Sequence, residues 1–129
     1  MKSVLFFFIV LSNFFLPENH NQTNERDWIG SYFFSARNRE ALETSFNIQI
    51  IKFDNITVKY ISDGEKLQIY KNVKAQLIQK NKLSILFNPQ NEEMGMIYVE
   101  KNGNDFYISG GPIYFINPGN NEFPLKKTD

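Results

Sequence analysis

The amino-acid sequence predicts an all-β protein, a single antiparallel meander of eight or nine strands that forms a small barrel, closed or partly open. Three observations carry that expectation. From Trp28 to Ile116, apolar and polar residues alternate in short segments, the period-two pattern of strands that bury one face. Turn-forming residues recur between these segments about every ten positions, the spacing of sandwiches and barrels. The links are short, so consecutive strands become neighbours, and closing such a meander into a barrel removes its unpaired edges. The 129 residues contain no cysteine, so packing and ladder hydrogen bonds must hold the fold without disulfides.

The leader comes first. Met1-Lys2-Ser3 precedes the apolar run Val4 to Leu11, and Phe14-Phe15-Leu16 follow shortly after. A charged start and a short apolar core are the layout of a secretory signal, and the core is shorter than the roughly 20 residues of a membrane span. Residues 1–16 are therefore expected to be a signal peptide or hydrophobic leader, with no A-x-A near residue 20 to locate the cut. The alternative is an N-terminal strand of the domain. Residues 17–27, with Glu18 to Glu25 almost devoid of apolar side chains, read as a polar disordered tether. Residues 28–129 then form one domain, roughly 100 residues that can enclose a single core.

Within it, strands are expected at about 28–34, 45–53, 56–62, 66–71, 73–79, 83–88, 94–101, 106–109 and 112–116. The inward sets are Phe46/Ile48/Ile50, Ile56/Val58/Tyr60, Leu67/Ile69, Val73/Ala75/Leu77, Leu83/Ile85/Phe87 and Met94/Met96/Tyr98. Segments 66–71 and 73–79 merge into one long strand if Asn72 forms a bulge. Asp63-Gly64 and Asn102-Gly103 can supply the positive φ angles of tight hairpins, and Asp54-Asn55 and Lys80-Asn81-Lys82 are reversals of the same kind. Pro89 ends the strand before it, because proline cannot donate to a ladder. Ser35 to Leu42 is the longest irregular piece, with room for one helical turn. Gly110-Gly111 permits a bend before a last strand at 112–116, and Asn117-Pro118-Gly119 closes it with a turn. A phosphate-cradling reading of these glycines would need a helix immediately after them.

Lysine plus arginine and aspartate plus glutamate number 14 each, a balance that argues against a nucleic-acid binder. The only histidine, His20, lies in the tether, so neither a serine–histidine–aspartate triad nor a histidine metal cluster is available to the domain. Glu92-Glu93, Asp63 and Glu65 lie on turns rather than converging on a cleft, and no calcium-loop pattern surrounds them. Asn21-Gln22-Thr23 and Asn55-Ile56-Thr57 match the glycosylation pattern, as chance allows in a chain rich in asparagine. Arg37 and Arg39 can grip a carboxylate or phosphate from the loop after the first strand; the alternative is a charged loop balanced by Glu40 and Glu43.

Trp28-Ile29-Gly30-Ser31-Tyr32 resembles the W-x-G-x-Y opening of lipocalin-like, calycin-type barrels, in which a tryptophan on the first strand closes one end. The resemblance implies a lipocalin-like barrel sealed near Trp28, although the chain has neither the cysteines nor the long C-terminal helix of lipocalins. From Trp28 through Lys59-Tyr60 and Tyr70-Lys71-Asn72 to Gly111-Pro112-Ile113-Tyr114, the chain also resembles small exported bacterial proteins classed as a domain of unknown function. That resemblance implies export, to the periplasm or outside the cell, and a β-rich fold, but no activity.

With no histidine in the domain and no cysteine, an enzyme would have to use carboxylates, lysine or tyrosine. A non-enzymatic binding module is expected instead, without cofactor or metal. It would hold a small apolar ligand or dock a protein, through Tyr32, Tyr60, Phe87, Met96 and Tyr98 facing inward and Arg37 and Arg39 at the rim. The alternative is an inhibitor or immunity-type protein acting through loops on a partner enzyme, favoured if Arg37, Arg39, Glu92 and Glu93 gather at one end beside exposed aromatics. Once the leader is removed, no membrane span is expected.

Overall fold

The computed structural model describes residues 25–116 and 121–129. The expected leader, most of the tether with His20, and the Asn117-Pro118-Gly119 turn lie outside the described residues. Residues 25–27, expected to end the tether, instead belong to a helical turn at 25–28, and the carboxylate of Glu25 accepts the Phe53 N–H at 2.9 Å.

Eight antiparallel strands follow in strict meander order and close into a barrel. They are β1 (Gly30–Arg37), β2 (Glu43–Lys52), β3 (Asn55–Ile61), β4 (Gln68–Gln79), β5 (Lys82–Leu86), β6 (Met96–Asn102), β7 (Asp105–Gly110) and β8 (Glu122–Lys127). A four-residue helical turn, α1 (Gly111–Tyr114), lies between β7 and β8. One end of the barrel carries the short reversals at 53–54, 80–81 and 103–104 together with the helical turn at 25–28. The other end carries the longer connections 38–42, 62–67 and 87–95, and α1 with residues 115–116. No helix among the described residues is long and apolar enough to cross a membrane.

The expected bulge exists. Ile56 and Val58 of β3, two residues apart, pair with Val73 and Tyr70 of β4, three residues apart, and Asn72 takes φ 57°. One extra residue on β4 restarts the alternation, so Tyr70 and Val73 both face inward. Leu67 and Ile69 are consequently exposed, which corrects their assignment to the core.

A second correction falls on β6. Met96 and Tyr98 are half-buried on its outer face, while Ile97 and Val99 are fully buried. Met96 to Val99 is apolar on both faces, so alternation could not choose between them. The pairing decides: Ile97 and Val99 stand opposite Ile85 and Leu83, whose inward direction is fixed, and directly paired residues share a face.

The ends of the chain differ most from expectation. Trp28 closes the helical turn rather than starting a strand, and β1 runs on to Arg37. The expected strand at 112–116 is α1 and the turn after it. Gly110, at φ 122°, lies so close to Met96 that a Cβ there would stand 2.6 Å from the Met96 carbonyl, and the chain leaves the ladder at this point. The last strand is instead β8, where Phe123 and Leu125 alternate around Pro124. A helix does begin at the second of the two glycines, but it is one turn long and buries Pro112 and Ile113, so it offers no phosphate cradle.

Aromatic side chains fill the barrel. Near the short-turn end the rings of Trp28 and Tyr32 meet Phe106 edge-on at 6.0 and 5.0 Å. Further along, Phe46 and Tyr60 stack at 4.5 Å with an interplanar angle of 11°, and Phe87 packs edge-on against both and against Tyr70. Such geometry adds about 0.5–1.5 kcal/mol per pair beyond the burial of area.

Candidate functional site

The closing pair, β1 with β8, is the shortest ladder in the barrel. It has only the pairs Tyr32 with Lys127 and Phe33 with Lys126, whereas β1 pairs with β2 along all eight of its residues. Beyond Phe33 the two strands make no further pairs toward the long-loop end, which leaves a seam between them.

The seam has a floor and walls. The Phe34 and Phe123 rings touch at 5.5 Å and form its base. Over them lies a depression of about 370 Å3 lined by Phe33, Phe34, Ser35, Phe123, Pro124, Leu125 and Lys126. It adjoins, through Phe123, a larger one of about 740 Å3 bounded by Ala36, Arg37, Asn38, Arg39, Glu40 and Ile116.

The rim is held by local hydrogen bonds. Asn38 Oδ1 accepts the N–H groups of Glu40 and Leu42 at 2.9 and 3.0 Å, and the Ala41 N–H donates to the Asn38 carbonyl at 2.9 Å. This side-chain-capped turn holds Ala41 at φ 65°, a left-handed conformation that alanine seldom adopts. Arg37 Nη1 donates to the Ala41 carbonyl at 2.8 Å. A guanidinium has five N–H groups, so this anchor leaves donors for a carboxylate.

The residues expected to bind separate into three groups. Arg37 and Arg39 both border the larger depression. Tyr32, Tyr60 and Phe87 are buried core, with the Tyr32 hydroxyl donating to the Trp28 carbonyl at 2.6 Å. None of the principal depressions is lined by Phe46, Tyr60, Tyr70 or Phe87. Met96 and Tyr98 point away from the interior, and the Tyr98 ring lies under Lys82 Nζ at 5.2 Å. Burial raises the Tyr60 hydroxyl above the ordinary tyrosine value; a hydrogen bond from the Ser62 side chain opposes this, and the Asp63 carboxylate adds to it.

Glu92 and Glu93 are exposed on the 87–95 connection, at the same end of the barrel as Arg37 and Arg39. Tyr114 and Phe115 are exposed there too, and their rings meet edge-on at 5.8 Å. Phe34, Ile116, Phe123 and Lys126 line the seam without having been singled out in the sequence. The available signal was the alternation of Phe123 and Leu125, hidden by the proline between them. Among the described residues no three histidine, aspartate or glutamate side chains gather where they could hold a metal ion.

No family model matches the chain, nor does any curated protein or solved structure.

Proposed function

We propose that the protein is a non-enzymatic, exported binding module that docks a protein partner through its long-loop end. The observation that carries this reading is the division of labour inside the barrel. Stacked aromatic rings occupy the interior, while the charged side chains Arg37, Arg39, Glu92 and Glu93 and the exposed Tyr114 and Phe115 share one end. Exposed aromatics with arginine are the residue types that dominate protein interfaces, and loops on a rigid barrel present them at low entropic cost. The same grouping favours an inhibitor or immunity-type role, in which docking blocks a partner enzyme. The apolar leader Val4 to Leu11 supports export.

Two measurements test the reading. Titration with 1-anilinonaphthalene-8-sulfonate should show no saturable one-to-one site; a stoichiometric site displaced by a fatty acid would place a ligand in the barrel and refute the docking module. The Arg37→Glu/Arg39→Glu double variant, with an unchanged circular dichroism spectrum, should bind a stoichiometric partner captured from the periplasmic or secreted fraction at least tenfold more weakly, the effect of about 1.4 kcal/mol.

A further inference from the structure

Among the described residues, the seam between β1 and β8 has main-chain groups without a ladder partner as well as apolar walls. The Ser31 carbonyl accepts the Thr128 N–H at 2.8 Å, which fixes the side of β1 that faces β8. In an antiparallel ladder both polar groups of a residue point the same way, and the direction alternates along the strand. The N–H and C=O groups of Phe33, Ser35 and Arg37 therefore also face β8.

Phe33 meets Lys126. Continuing that register sets Ser35 opposite Pro124, which has no N–H to give. The ladder stops at this proline, and β8 itself begins only two residues earlier, at Glu122. Among the described residues, the main-chain groups of Ser35 and Arg37 have no pairing with β8.

We propose that this seam receives an extended segment of a protein partner as an added strand, apolar on the side facing the barrel and acidic on the other. The proposal rests on the docking reading above and names how the partner engages. An extended chain offers N–H and C=O groups every second residue, about 6.6 Å apart, which matches the spacing from Ser35 to Arg37. Its inward side chains meet Phe34, Ala36, Ile116 and Phe123. Its outward ones meet Arg37, Arg39 and Lys126; Glu40 is the carboxylate in the lining, Glu43 accepts a hydrogen bond from the Ser35 hydroxyl at 2.9 Å, and Glu122 is exposed at the start of β8. A second copy of this chain is the poorer occupant, because edge-to-edge pairing would bring the Arg37 and Arg39 rims of two molecules together.

The test uses fluorescein-labelled nine-residue peptides of alternating valine and glutamate, their valine–lysine counterparts, and the acidic peptide N-methylated at alternate residues. Fluorescence anisotropy should show saturable binding of the acidic peptide, at least tenfold tighter than the lysine peptide. N-methylation of the edge-facing amides should weaken binding at least tenfold. The Ser35 and Arg37 amides should gain protection from hydrogen exchange in the complex. Pro124→Val restores an N–H opposite Ser35, so it should raise Tm and weaken the acidic peptide at least tenfold. Absent binding, equal binding of the lysine peptide, undiminished binding to P124V, or a concentration-dependent dimer protected at Ser35 and Arg37 would each overturn the proposal. If a captured partner is lost from the Arg37→Glu/Arg39→Glu variant but kept by P124V, the seam proposal falls and the docking reading stands. If both variants keep it, both fall.

Discussion

Tyr32 ties the entry of the chain to the barrel. Its ring is fully buried against Phe106, Lys127 Nζ lies 5.8 Å from the ring centroid, and its hydroxyl satisfies the Trp28 carbonyl. Tyr32→Phe keeps the shape but strands that carbonyl, and urea unfolding should show a loss of about 1–3 kcal/mol. Burial first, and the Asp129 carboxylate second, raise the Tyr32 hydroxyl well above its ordinary value. Above pH about 10 the unfolded chain therefore releases a proton that the folded chain keeps. The native state binds more protons there, so stability is complete below about pH 10 and falls as pH rises beyond it. The Y32F variant should lose most of that slope and keep the share due to Tyr60, measured as the midpoint of urea unfolding against pH. The inward direction of Tyr32 was legible in the sequence. The hydrogen bond was not, because it depends on the helical turn that brings the Trp28 carbonyl to the Tyr32 hydroxyl.

The long strand β4 depends on Asn72. Its left-handed backbone lets Tyr70 and Val73 both point inward, so Asn72→Gly should leave stability nearly unchanged. Asn72→Val should cost about 1–2 kcal/mol, the penalty of a β-branched residue at that φ, measured by thermal or urea unfolding. Deleting Asn72 should be far worse, since it turns the rest of the strand inside out. Strand positions were legible wherever one face alone was apolar, as in Phe46/Ile48/Ile50 and Ile56/Val58/Tyr60. They were misread where both faces were apolar, at Met96 to Val99, and where proline interrupted the pattern, at Phe123-Pro124-Leu125. The stretch 112–116 looked like a strand from its composition. Gly110, pressed against Met96, and the buried Pro112 and Ile113 of α1 instead take the chain out of the ladder there.

At the scale of the whole molecule, the barrel is built around its ring cluster. Phe46 touches both Tyr60 and Phe87 from the centre of that cluster, so Phe46→Ala should cost about 3–5 kcal/mol in urea unfolding, the range of buried aromatic truncations. The charged rim was legible because Arg37 and Arg39 are local and conspicuous. The seam was not, because it is a relation between two strands that lie about 90 positions apart and stop matching at one proline. Closure also brings Thr128 and Asp129 against the start of β1. Ser31 donates its N–H to the Asp129 carboxylate at 2.6 Å and accepts the Thr128 N–H, close to the helical turn at 25–28. Residue 25 and Asp129 therefore both leave from the short-turn end, and the eight residues of β1 span up to about 26 Å between that end and Arg37. Whatever is fused after Asp129 becomes a handle on the far side of the barrel, so a surface or carrier attached there would hold the molecule like a torch, with Arg37, Arg39 and the seam facing outward.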